Sequence, residues 1–276
     1  MDIVSQHRSF GGVQAVYSHP SNTCGCEMRF AAYLPPQAAD RDVPVLWYLS
    51  GGAEGFDAAV ARAGFQEHAA RRGLAVIFPD VAPRGDSVAR CGTAADDLGA
   101  GAGFYVNATR DPWRPNYRMY DYILHELRGL VLDHLPLEDR HGITGHAAGG
   151  HGALTLALRN SEMFESVTAL APVANPTSSE WGRRQLSTLL GSDETTWSVH
   201  DATLLLDELG WKGDILVDQG GDDAFLDLLR PQALAATMAR RRQPGQVRIQ
   251  KGYDHSFYFV NTFAGDHVQW HAERLN

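Results

Sequence analysis

The chain has 276 residues, long for one domain yet within range of a single large α/β unit. Hydrophobic residues make up 44%, ordinary for a folded protein, and no run approaches the roughly 18 apolar residues of a membrane span. A net charge of −9 and a pI near 5.7 argue against nucleic acid or an anionic membrane as partner.

Residues 1–10 lack the apolar centre of a signal peptide, and three cysteines (Cys24, Cys26, Cys91) do not make a disulfide framework. Both observations point to the cytoplasm. Cys24-Gly25-Cys26 has no second ligand pair at zinc-finger spacing, so no metal is expected there. Residues 11–19 and 27–34 read as strands joined by the polar turn Pro20-Ser21-Asn22 and closed by Pro35-Pro36. The continuous apolar run 43–49, ending in Ser50-Gly51-Gly52, has the pattern of a buried central strand. One helix is expected over 58–72 and a short buried strand over 74–78, stopped by Pro79-Asp80. Residues 83–103 hold no sustained period and read as a long surface loop of the kind that carries function.

A long amphipathic helix over 116–135 leads into a strand at 142–145, and a second helix runs from Ala148 to Asn160. A strand at 166–170 precedes a mixed, cap-like stretch at 177–208. The strand at 214–217 opens into Gln219-Gly220-Gly221-Asp222-Asp223. A helix at 231–242, a strand at 247–250 and a helix at 257–275 close the chain. Strands alternating with helices predict an α/β fold with a mostly parallel central sheet, helices on both faces, and one domain over 1–276.

Between the strand at 142–145 and its helix lies Gly145-His146-Ala147-Ala148-Gly149. This is the spacing of a nucleophile elbow, G-x-S-x-G, in which a sharp turn presents the central residue above the sheet. Glycine suits both ends, because a Cβ there would crowd the strand-to-helix crossing. The central residue is alanine. On such a sheet the nucleophile is followed in chain order by an acid and then a histidine. Asp223, with Asp222 as a neighbouring competitor, stands after one strand, and His255 after the last. His255 is expected to move the proton and the acid to fix its tautomer. The oxyanion donors are expected from the backbone N–H groups of Ala148 and Gly52. Glu54, His146, His151 and Trp181 are candidates for the pocket wall. His146 and His151 match no metal spacing, and Gly99-Ala100-Gly101-Ala102-Gly103 lacks the strand, helix and lysine of a phosphate loop. Arg240-Arg241-Arg242 reads as a solvated helix end.

The chain resembles the esterase D family, the S-formylglutathione hydrolases, over its whole length. The likeness rests on Ser9-Phe10-Gly11-Gly12, Gly101-Ala102-Gly103-Phe104-Tyr105-Val106-Asn107-Ala108-Thr109, Asn116-Tyr117-Arg118-Met119-Tyr120, Gly149-Gly150-His151-Gly152, Asp218-Gln219-Gly220 and Gly252-Tyr253-Asp254-His255-Ser256. The resemblance implies an α/β-hydrolase with Ala147 (serine in the family), Asp223 and His255 as the triad positions. It also implies a small ester or thioester substrate, an acyl-enzyme, no cofactor or metal, and often a homodimer. Besides Ala147, three positions and the segment 86–98 depart from the family pattern. Ala148 stands in an elbow that usually reads G-H-S-M-G-G. Gly52 and Glu54 stand where the family has leucine and cysteine. The retained acid and histidine fit a serine-to-alanine exchange in an otherwise complete site. Two alternatives follow from the departures: an enzyme recruited to another ester or thioester, or a binding protein without turnover.

Overall fold

A computed structural model describes residues 1–52, 55–86, 88–89 and 103–276. Its centre is β4 (Val43–Leu49), buried at every position because strands flank both edges and helices cover both faces. The other strands are β1 (Asp2–Ser9), β2 (Gly12–Ser21), β3 (Cys26–Leu34), β5 (Ala75–Pro79), β6 (Leu137–Gly145), β7 (Ser166–Leu170), β8 (Ile215–Gly220) and β9 (Gly245–Gln250). Their order across one sheet is β1-β2-β3-β5-β4-β6-β7-β8-β9. From β5 to β9 all pairings are parallel, while β1, β2 and β3 form an antiparallel flank.

The helices are α1 (Gly55–Arg62), α2 (Phe65–Arg72), α3 (Met119–Asp121), α4 (Arg128–His134), α5 (Ala148–Arg159), α6 (Glu180–Leu190), α7 (Ala202–Leu209), α8 (Leu226–Leu229), α9 (Pro231–Arg241) and α10 (Phe257–Leu275). Helix α5 packs on β6 and β7, and α10 on the same two strands and on α2.

Several expectations are corrected. The helix expected over 58–72 is two, because Gly64 sits at φ +75° and breaks it. The long helix expected over 116–135 begins at Met119 and winds through a π-helical stretch, Tyr122–Leu127, before α4. Strand β1 was not expected. It is polar and almost wholly exposed, so it has no apolar alternation to read, and its partner β2 holds it in an edge hairpin. Strand β8 runs three residues further than expected, pairing Gln219 with Ile249 and Gly220 with Gln250. The stretch 177–208 contains α6, the start of α7 and three short 3-10 turns. Most of the loop expected at 83–103, Cys91 and Glu54 lie outside the described residues.

Candidate active site

The elbow forms as its glycines require. Ala147 has φ +53° and ψ −116°, a backbone conformation that L-residues rarely adopt. Three backbone bonds pin it: Ala147 N–H donates to Leu170 O at 3.0 Å, and Ala147 O accepts from His151 N–H at 3.0 Å and Val173 N–H at 3.2 Å. At Gly149 an added Cβ would lie 1.9 Å from Leu49 O, so only glycine lets α5 start this close to β4. The strain is therefore held at the carboxyl ends of β4 and β7.

The acid and histidine loops meet over the end of β8. A Cβ on Gly220 would lie 2.5 Å from both Tyr253 O and Asp254 O, so the histidine loop rests directly on that glycine. Asp222 N–H donates to Tyr253 O at 2.9 Å and stitches the loops together, while its carboxylate points to solvent. The structure thus separates the two candidate acids. Asp223 is buried, and its Oδ2 accepts from His255 Nδ1 at 2.7 Å and Gln219 Nε2 at 2.8 Å. Its Oδ1 accepts from Phe225 N–H at 2.8 Å. Burial alone would raise the Asp223 carboxyl, but the hydrogen bonds from His255, Phe225 and Gln219 outweigh it and hold the pKa below the usual carboxylate range. Asp254 Oδ1 accepts from Ser256 N–H and hydroxyl at 2.9 and 2.6 Å, and Ser256 caps α10, which fixes the chain on either side of His255.

Ala147, His255, His146, Gly51 and Gly52 line one cavity of about 1020 Å³ at the carboxyl ends of the parallel strands. Its far wall comes from α1 and α10, with Arg62, Phe257, Tyr258 and Asn261. Such a crevice beyond the strand ends is the usual ligand position in a parallel α/β sheet. The Ala148 N–H begins α5 and, as a first-turn donor, has no intrahelical partner, while Gly149 N–H is spent on His146 O at 2.7 Å. Gly52 is at φ +84° beside Gly51, whose added Cβ would lie 2.7 Å from that of Ala147. Tyr105 donates its hydroxyl to Ser50 O and anchors this loop from below.

The four wall candidates divide. His146 does line the cavity, its ring 4.6 Å from that of His255. Burial, then the neighbouring His255, holds it down at about 3, so it is neutral at pH 7. His151 is instead a core residue. It is stacked on Phe104 at 4.1 Å with Nδ1 3.3 Å from Val173 O, because α5 is buried on all sides from Ala148 to Leu158. Trp181 borders a separate surface groove with Arg184 and Asp227 and meets Phe104 edge-on at 5.7 Å, since α6 packs against α8 and the turn at Pro176–Ser178. Glu54 lies outside the described residues. Gln219 carried no chemical signal of its own in the sequence; its place in Asp218-Gln219-Gly220, four residues before the acid, was the hint. Among the described residues no cluster of three or more metal-ligating side chains occurs.

The esterase family model matches residues 21–275. An S-formylglutathione hydrolase of Paracoccus denitrificans (strain Pd 1222) is 54% identical over 275 residues, 99% of this chain and 98% of its own. The S-formylglutathione hydrolase of Mus musculus is 45% identical over 277 residues, again with 99% and 98% covered. The solved structure of an S-formylglutathione hydrolase from Agrobacterium tumefaciens superposes with a TM-score of 0.97 at 40% identity, over all of both chains. A fluorophosphonate-binding serine hydrolase of Staphylococcus aureus, 20% identical with a TM-score of 0.75 over 95% and 98% of the two chains, shares the fold.

Proposed function

Since the chain belongs to the S-formylglutathione hydrolase family of esterases, we propose that its cavity binds a small acyl thioester or ester, with S-formylglutathione as the first candidate. The observation that carries this reading is the Asp223–His255 pair facing the same cavity as the strained elbow at Ala147. In this reading residues 1–276 act as one cytoplasmic domain, as monomer or homodimer, on a small molecule.

The roles follow from geometry. In an Ala147→Ser form the hydroxyl attacks the acyl carbonyl while His255 Nε2 takes its proton and Nδ1–H stays on Asp223. The oxyanion faces the N–H groups of Ala148 and Gly52. Collapse breaks the C–S bond, and the proton on His255 goes to the leaving thiolate. Water, deprotonated by the same imidazole, then cleaves the acyl-enzyme and releases the acid. With Ala147 in place the chain binds the same substrate and has no hydroxyl to acylate, which lowers turnover by about a million-fold, on the order of 8 kcal/mol of barrier.

The test is a parallel assay of this chain and Ala147→Ser on S-formylglutathione and p-nitrophenyl acetate. Cleavage of both by the serine form is the expected result. Cleavage of the ester alone supports the second reading, recruitment to another acyl group, which the departures at Gly52 and Glu54 favour. Binding without any gain from serine supports a non-catalytic binding protein, which Ala147 itself favours.

A further inference from the structure

The motif Asp218-Gln219-Gly220 ends β8, and the roles above use only its glycine. Gln219 is fully buried, yet it is not satisfied: its Nε2 donates to Asp223 Oδ2 at 2.8 Å and to Gly220 O at 3.2 Å, while its Oε1 has no partner among the described residues. The orientation of the amide is dictated by chemistry. Turned over, Oε1 would face a carboxylate oxygen and a carbonyl oxygen, three acceptors with no proton between them. The amide therefore divides its donors between Asp223 and Gly220 O and leaves a buried acceptor unpaired, an arrangement that an apolar residue of the same size would avoid. A side chain kept for packing alone has no reason to carry that cost.

From this contact we propose that Gln219 is a positioning residue for the acid: its amide fixes the Asp223 carboxylate about its own axis so that Oδ2 meets His255 Nδ1. The inference rests on the reading of Asp223 and His255 as the working pair. Oδ2 receives both donors, so the imidazole and the amide hold the same oxygen from two sides, while Phe225 N–H holds the other. Without Nε2 the carboxylate retains one backbone anchor and can rotate. His255 then samples orientations in which Nε2 leaves the elbow. The amide also keeps Asp223 ionised, since it can only donate where it touches the acid.

Two variants test this. Gln219→Met preserves volume and removes the donor. In the chain as it stands, proton NMR should show a protected low-field resonance from His255 Nδ1–H. Gln219→Met should broaden or abolish that signal while thermal unfolding shows a folded protein. In the Ala147→Ser background the same change should lower kcat between roughly ten- and a hundredfold, the size of one hydrogen bond to a charged group, with KM unchanged. Gln219→Glu supplies a donor only when protonated, so its kcat relative to the parent should rise as pH falls. This variant also decides the case if Gln219→Met does not fold. An unchanged resonance and unchanged kcat in Gln219→Met, or a Gln219→Glu ratio that does not vary with pH, would overturn the proposal. Absence of the resonance in the parent would instead overturn the Asp223–His255 reading beneath it.

Discussion

Two aspartate–histidine pairs flank the end of β8, and they have nearly the same local chemistry. Asp218 Oδ2 meets His267 Nε2 at 3.0 Å, and Asp223 Oδ2 meets His255 Nδ1 at 2.7 Å. Both carboxylates are sealed from solvent. The difference lies on the histidine side. His255 is 22% exposed and opens on the cavity at Ala147, whereas His267 is wholly buried and spends its second nitrogen on Thr168 Oγ1 at 2.8 Å. Asp218 is also gripped by Arg248 and Gln250, and Thr168 passes the network on to Thr144 and His271. An Asp–His pair is therefore no mark of catalysis by itself. Sharing a cavity with a strained elbow makes one pair suited to proton transfer, and saturation with partners makes the other a strut between β6, β7, β8 and α10.

The largest effect expected to sharpen this contrast is on rate. In the Ala147→Ser background, His255→Ala should lower kcat for p-nitrophenyl acetate by on the order of 10⁴-fold or more. His267→Ala should leave kcat within about tenfold, measured on the fraction that is folded. Equal losses from both would erase the distinction. The aspartates should behave in the same way. Asp223→Asn should reduce kcat by about 10⁴-fold through the wrong tautomer while melting stays within a few degrees of the parent. Asp218→Asn leaves Arg248 with Asp266 as its remaining carboxylate and should cost about 2–3 kcal/mol in denaturant unfolding.

Acid should separate the pairs more gently. Burial alone would raise Asp218, but hydrogen bonds from His267, Arg248 and Gln250 hold it down at about 2. A free aspartate titrates near 3.9, so the unfolded chain binds this proton first. The stability from Asp218 is thus fully present above about pH 4 and lost as pH falls through 2. It amounts to about 2–3 kcal/mol. His146 and His151, both held at about 3 by burial, add an earlier decline of the same sign, beginning below about pH 6.5. Melting temperatures followed from pH 7 downward should fall in these two stages, and Asp218→Asn should flatten the lower one. A melting temperature constant to pH 3 would contradict both.

Much of this was legible in the sequence, for identifiable reasons. The elbow shows because close backbone approach admits only glycine, and those glycines survive at Gly145 and Gly149. Asp223 and His255 show because both follow strands in the required chain order. Strand β4 shows because a strand covered on both faces is apolar throughout. The rest depends on direction in space. Asp222 and Asp223 are chemically alike, and only the stitching of Asp222 N–H to the histidine loop turns one outward and the other inward. His151 and Trp181 are aromatic residues near the elbow in sequence or in expected position, yet α5 is covered on all sides around His151, and Trp181 lies on α6 beside a separate groove. Gln219 has an ordinary polar side chain whose meaning appears only once Oδ2 of Asp223 lies 2.8 Å away.

The central claim is that this site is a hydrolase site complete but for one hydroxyl. The most direct measurement is a stopped-flow titration of Ala147→Ser with excess p-nitrophenyl acetate. A burst of about one p-nitrophenolate per chain followed by slower turnover is expected, with no burst from the parent. A serine form that folds, binds ester and shows neither burst nor turnover would contradict it.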